Sequence, residues 1–176
     1  TITEDWTSAG YLFLEFSGLD SSAYTIIKEI TNNTGVDWNS FSNELLDPSG
    51  DTNDAQRDPV QPGWVPTGFS TSNDYDQLHF DQGGGTPRTS VAFDGLIVDE
   101  NSDMRDFLDF YDGLVLGSGG TDIVSFGIED DADNQPFLLA QRPNEFSTGP
   151  IIPEPATLTL LGMGLVGLAG VRRRRR

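Results

Sequence analysis

DIVSFGIE, Asp122 to Glu129, decides the fold class. Val124, Phe126 and Ile128 fall on one side of an extended chain, with Ile123, Ser125 and Gly127 on the other. That period of two marks a half-buried β-strand. The chain on either side repeats the theme in short apolar runs bounded by Gly, Pro, Asn, Asp or Ser. Tyr11 to Phe16 (YLFLEF) and Thr25 to Ile30 (TIIKEI) read as strands, as do Gln77 to Phe80, Ser90 to Val98 and Pro136 to Arg142. Asn32-Asn33-Thr34-Gly35 reads as a turn into DWNSFSNEL, where Phe41, Asn43 and Leu45 alternate. Trp38 sits three residues before Phe41, which predicts a bulge. Residues 47–76 are poor in aliphatics and read as a long loop with one short strand. Met104 to Leu114 allows two readings. Phe107, Phe110, Tyr111 and Leu114 fit helical spacing, whereas Asp112-Gly113 is a turn signal; the strand reading is taken. Seven or so short strands predict an all-β, antiparallel β-sandwich, jelly-roll or Ig-like, over residues 1–148.

The 176 residues hold 28 Asp and Glu against 10 Lys and Arg, a net charge of −18. Five of those bases are Arg172, Arg173, Arg174, Arg175 and Arg176, and only Glu154 among the acids lies beyond residue 150. Residues 1–150 therefore hold 27 acids against 5 bases, a net −22. Such a body repels phosphate backbones, which excludes nucleic acid as a partner. With 36% hydrophobic residues, 20 Gly and 10 Pro, the chain has enough apolar surface for a core and too many helix breakers for a bundle. The absence of cysteine removes disulfides, thiolate metal sites and thiol nucleophiles.

The tail is built differently. Residues 149–155 form a linker containing Pro153-Glu154-Pro155, whose prolines hold their neighbours extended. Residues 156–171, ATLTLLGMGLVGLAGV, are uncharged throughout. As a helix they reach roughly 24 Å, against a bilayer core of about 30 Å that the arginines extend towards by stretching to the headgroups. Residues 172–176 form a basic stop, which the positive-inside bias keeps cytoplasmic. Gly162-Met163-Gly164-Leu165-Val166-Gly167 matches GxGxxG, but only nine residues follow and none is acidic, so a dinucleotide fold is rejected.

Motif, apolar span and arginine cluster, in that order at a chain's end, resemble the PEP-CTERM sorting domain of Gram-negative bacteria. The resemblance implies export, a transient anchor in the inner membrane, and processing by an exosortase, a transpeptidase-like membrane enzyme that brings its own cysteine. It also implies a destination at the cell surface or in an exopolysaccharide biofilm matrix. TITEDWTSAG, residues 1–10, has no basic or apolar leader region, so the resemblance places a signal peptide upstream of residue 1. NNTGVDWNSFSNEL (32–45) and PFLLAQRPNE (136–145) look like segments of β-rich ectodomains of such proteins.

In the body, Asp51-Thr52-Asn53-Asp54, Asp131-Ala132-Asp133-Asn134, and Asn73-Asp74-Tyr75-Asp76 with Asp81 are rich in calcium-type oxygen ligands. Pro136 stands where a calcium loop after Asp131 needs glycine, so solvated acidic turns are the reading and no metal is assigned, with calcium kept as the sole cofactor alternative. His79, flanked by Leu78 and Phe80, reads as structural. No Walker A motif or nucleophile elbow is present, and no catalytic residue is assigned. Trp38 reads as core. Trp64, in the Pro/Gly-bracketed QPGWVPTGF, is the candidate for stacking on sugar rings. The expectation is a non-enzymatic surface protein with a structural or carbohydrate-binding ectodomain; a secreted polysaccharide hydrolase and a calcium-dependent adhesion module are the alternatives.

Overall fold

The computed structural model describes residues 1–18, 23–48, 63–73, 78–81, 86–98, 105–130 and 136–145. The linker, apolar span and arginine stop at 149–176 lie outside these residues. Among the described residues there is no helix, and none long and apolar enough to cross a membrane.

Among the described residues, eleven strands form two sheets. They are β1 (Ile2–Trp6), β2 (Leu12–Phe16), β3 (Ala23–Asn32), β4 (Trp38–Pro48), β5 (Phe69–Thr71), β6 (Leu78–Phe80), β7 (Thr89–Ser90), β8 (Phe93–Val98), β9 (Phe107–Val115), β10 (Gly120–Asp130) and β11 (Phe137–Pro143). The first sheet runs β1-β3-β10-β6, with β7 also on β10. The second runs β2-β11-β4-β9-β8, with β5 also on β4. Their inner faces share one core. Val124, Phe126 and Ile128 of β10 pack in the same cluster as Phe41 and Leu45 of β4, Phe110 of β9 and Leu139 of β11. Ile123, on the other parity of β10, is 47% exposed.

All-β holds, but antiparallel throughout does not. β1 pairs parallel to β3, with Glu4 opposite Ile30 and Trp6 opposite Asn32. The chain leaves β1 for the second sheet, forms β2 there and returns for β3, a crossover that allows parallel alignment. The predicted strand 90–98 is divided for a similar reason. Asp122 accepts hydrogen bonds from Ser90 Oγ (2.9 Å), Val91 N–H (3.0 Å) and Ala92 N–H (2.9 Å). These three donors pin a corner where the chain passes from β7 in the first sheet to β8 in the second.

The turn after β3 forms as read, with Gly35 at φ 78 and Asn32 Oδ1 accepting from Thr34 N–H (3.1 Å) and Thr34 Oγ1 (2.7 Å). The predicted bulge is also present, as a register break between Trp38 and Ser40 opposite β9. Asp112-Gly113 does not end a strand. Asp112 takes φ 58 within β9 and absorbs the bulge, and a methyl group at Gly113 would collide with the Ala92 carbonyl.

Candidate functional site

Sheet parity places a polar cluster on each face of the second sheet. On β4, Ser42, Glu44 and Leu46 alternate with the inward Phe41, Asn43 and Leu45. On β11, Leu138, Ala140 and Arg142 alternate with Phe137, Leu139 and Gln141. Both strands are buried on both faces along most of their length, because residues 64–69 fold over the outer face. Trp64, Val65 and Phe69 pack there with Phe13 against Leu46, Leu138 and Ala140.

Under that cover lies an ion-pair cluster. Arg105 holds Glu44 in a fork, Nε to Oε1 at 2.6 Å and Nη2 to Oε2 at 2.6 Å. Arg142 Nη2 donates to Ser42 Oγ (3.0 Å) and to Glu44 Oε2. Burial pushes the Glu44 carboxyl up while the two guanidiniums oppose it, and burial likewise lowers Arg142. Trp64 lies with its ring 4.0 Å from the Arg142 Cζ, a cation–π contact in a water-poor setting. The tryptophan expected in open solvent is half-buried, with its ring over the Arg142 guanidinium.

Trp64 also belongs to a row of rings. Tyr11 lies 6.0 Å from it at 39°, and Phe13 lies 6.5 Å from it at 22°. Tyr11 is 45% exposed and donates to the Glu145 carboxylate at 3.0 Å. Partial burial and that carboxylate raise the phenol above its ordinary value. Tyr11 separates two hollows. One, of about 360 Å³, lies between β1 and β2 and is lined by Glu4, Asp5, Trp6 and Thr7. The other, of about 380 Å³, is lined by Ala9, Pro143, Asn144 and Glu145.

Between the sheets is a second polar cluster. Lys28 of β3 is fully buried and donates to Asn43 Oδ1 (3.0 Å) and to Gln141 Oε1. Its Nζ lies 3.7 Å from Glu4 Oε1 and 4.5 Å from the Phe41 ring centre. Glu4 in turn accepts from Gln141 Nε2 and from Trp6 Nε1, each at 3.0 Å. Burial lowers the Lys28 ammonium from 10.5 to about 8, against the pull of Glu4 and Asp122. No sequence motif singles out Lys28, Glu4 or Gln141. Their signal was parity: each is a polar residue in step with apolar neighbours on an inward face.

Among the other sites read from the sequence, Trp38 is buried and stacks on Phe41 at 5.5 Å. His79 pairs with Glu129 at 2.8 Å on the outer face of the first sheet, a structural contact between β6 and β10. Asp81 accepts the Thr86 N–H at 3.0 Å. Residues 51–54, 74–76 and 131–134 lie outside the described residues, as do Pro153, Glu154 and Pro155. Among the described residues no group of three or more His, Asp or Glu side chains is placed to hold a metal ion.

No curated protein and no solved structure matches the chain. One family does: residues 152–176, which hold the Pro-Glu-Pro motif, the apolar run and the five arginines, match the PEP-CTERM protein-sorting motif, so the chain carries the signal of an exported protein sorted by an exosortase.

Proposed function

We propose that this is a surface or exopolysaccharide-matrix protein of a Gram-negative bacterium, and that its sandwich binds carbohydrate without acting on it. In this reading residues 156–171 hold the exported precursor in the inner membrane until an exosortase acts at Pro153-Glu154-Pro155. The sorting part is carried by the match over residues 152–176. Glu154 stands between two prolines in the sequence, a short linear pattern that a processing enzyme can read. The carbohydrate part is supported by the row Tyr11–Trp64–Phe13 and by the two hollows that meet at Tyr11, whose linings include Asp5, Thr7, Asn144 and Glu145. Aromatic faces stack on the C–H faces of sugar rings, and carboxylates accept from their hydroxyls.

The test is fractionation of the full chain, exported behind a leader in cells with and without an exosortase. Glu154→Ala accumulates as uncleaved precursor in the inner membrane, and deletion of 156–176 releases the protein. Normal processing of Glu154→Ala, or retention of the deleted form, overturns the sorting mechanism.

A further inference from the structure

Lys28 is the residue that the sorting and carbohydrate readings leave unused, and its surroundings are unlike those of a structural ion pair. Four side chains from four strands converge between the sheets: Glu4 from β1, Lys28 from β3, Asn43 from β4 and Gln141 from β11. Lys28, Asn43 and Gln141 are fully buried and Glu4 is nearly so. Asn43 and Gln141 face each other across adjacent strands of the second sheet, and Lys28 reaches them from the first. Trp6, Trp38 and Phe41, with ring centres 5.3–5.8 Å apart, pack beside the cluster.

Burying an ammonium is costly, and nonpolar residues of the same volume are commonly at least as stable. A lysine in such a place is also a desolvated amine, and desolvation is how proteins make lysine nucleophilic. What the amine touches then decides the chemistry. Here it contacts the carbonyl oxygen of the Gln141 carboxamide, while one oxygen of Glu4 lies 3.7 Å from the amine and 3.0 Å from the amide nitrogen. One carboxylate therefore spans the group that must lose a proton and the group that must gain one.

We propose that Lys28 and Gln141 condense into an intramolecular amide that ties β3 of the first sheet to β11 of the second, with Glu4 carrying the proton. Glu4 takes a proton from the Lys28 ammonium. The freed Nζ lone pair attacks Cδ of Gln141, whose carbonyl electrons move to Oε1. The acid on Glu4 then protonates Nε2, and the carboxylate accepts a further proton from the attacking nitrogen. The carbonyl re-forms, the Cδ–Nε2 bond breaks and ammonia leaves. The remaining proton stays on Glu4 or departs with the ammonia as ammonium. One C–N bond is exchanged for another, so no oxidant or cofactor enters.

Three features favour the reaction. The fold holds amine and amide in contact, replacing an encounter in solution with a fixed geometry of high effective concentration. The product also removes a buried charge and loses a small molecule to solvent. The lowered pKa of Lys28, about 8, leaves an appreciable share of neutral amine near neutral pH. Asn43 is the competing electrophile, since its Oδ1 also contacts Lys28. Its Nδ2, however, has no hydrogen-bond partner among the described residues, so no acid stands ready to protonate that nitrogen as it leaves. The geometry selects Gln141.

The experiment is the intact mass of the folded full chain, expressed without an exosortase, followed by tandem mass spectrometry of its digest. The expected mass is that of the sequence less one ammonia, with a peptide containing Lys28 joined to one containing Gln141. Glu4→Gln, close in shape but unable to carry the proton, returns the full sequence mass while keeping the β-type circular dichroism; so does Lys28→Met. A folded wild-type chain with the full sequence mass overturns the proposal. A bond found at Asn43, or one formed equally in Glu4→Gln, overturns the assignment of Gln141 and Glu4.

Discussion

Asn43 and Glu44 are neighbours on β4, as Gln141 and Arg142 are on β11, yet the two pairs serve opposite faces of one sheet. The outer pair joins Arg105 in a cluster of two guanidiniums on the Glu44 carboxylate, with the buried Asp109 beside them. The inner pair meets a single lysine accompanied by two carboxamides and the Glu4 carboxylate, with the charge of the buried Asp122 also acting on it. Both are buried, but the chemistry of the cation separates them. A guanidinium keeps its proton and presents a rigid fork, so the outer cluster acts as a clamp. An ammonium is a compact donor that yields its proton when desolvated, so the inner cluster is reactive. One face of the sheet spends its polar residues on holding a loop in place, the other on a bond between sheets.

Glu44→Ala is the strongest way to break the outer cluster, because it leaves the buried Arg142 and the partly buried Arg105 without their shared carboxylate. Removing one partner of a buried pair costs about 3–5 kcal/mol. Urea unfolding followed by circular dichroism reads this as a large drop in midpoint with a similar slope. A loss of under about 1 kcal/mol makes the cluster an ordinary surface pair.

The inner cluster is sharpened by pH. Gln141→Met prevents the proposed bond while keeping Glu4 and Lys28, so the lysine stays titratable. In the folded chain it gives up its proton near pH 8, and in the unfolded chain only near 10.5. Between those values the unfolded state binds more protons, so the variant gains stability as pH rises, by up to about 3 kcal/mol. The cross-linked wild type has no amine there and lacks this rise. Other groups titrate in both chains, so the difference between the two pH profiles is the measurement. Parallel profiles break the contrast between a reactive face and a clamping one.

Strands whose two parities differ were legible in the sequence, and strands buried on both sides were less so. DIVSFGIE reads correctly because Val124 and Phe126 face a core while Ile123 and Ser125 face outward. ITEDW, residues 2–6, is a strand that the sequence pattern does not announce. Its inward parity holds a glutamate between Ile2 and Trp6, and its parallel partner β3 is reached only through the opposite sheet. Asp112-Gly113 carries local turn chemistry that tertiary pairing uses for a bulge. Loop chemistry likewise pointed Trp64 towards solvent. The counter-signal lay elsewhere, in Leu45-Leu46 and Phe137-Leu138-Leu139-Ala140, whose lack of alternation reports a second covered face. The sorting motif needed no fold to be read, since its information is linear order.

Trp64 and Tyr11 separate the two roles assigned to the aromatic row. Trp64 covers Arg142 and packs over Leu46 and Leu138, so Trp64→Ala removes a cation–π contact and part of a lid, a cost of about 1–2 kcal/mol. Tyr11 is exposed and contributes one surface hydrogen bond to Glu145, so Tyr11→Ala lowers stability by under about 1 kcal/mol. If the row is a sugar platform, both substitutions weaken retention on immobilised exopolysaccharide, and Tyr11→Ala does so with the fold almost untouched. Loss of retention in Trp64→Ala alone, in step with its lost stability, assigns the tryptophan to the clamp and leaves no platform. Tyr11→Ala is therefore the cleaner measurement, because at that position binding and stability are not carried by the same contacts.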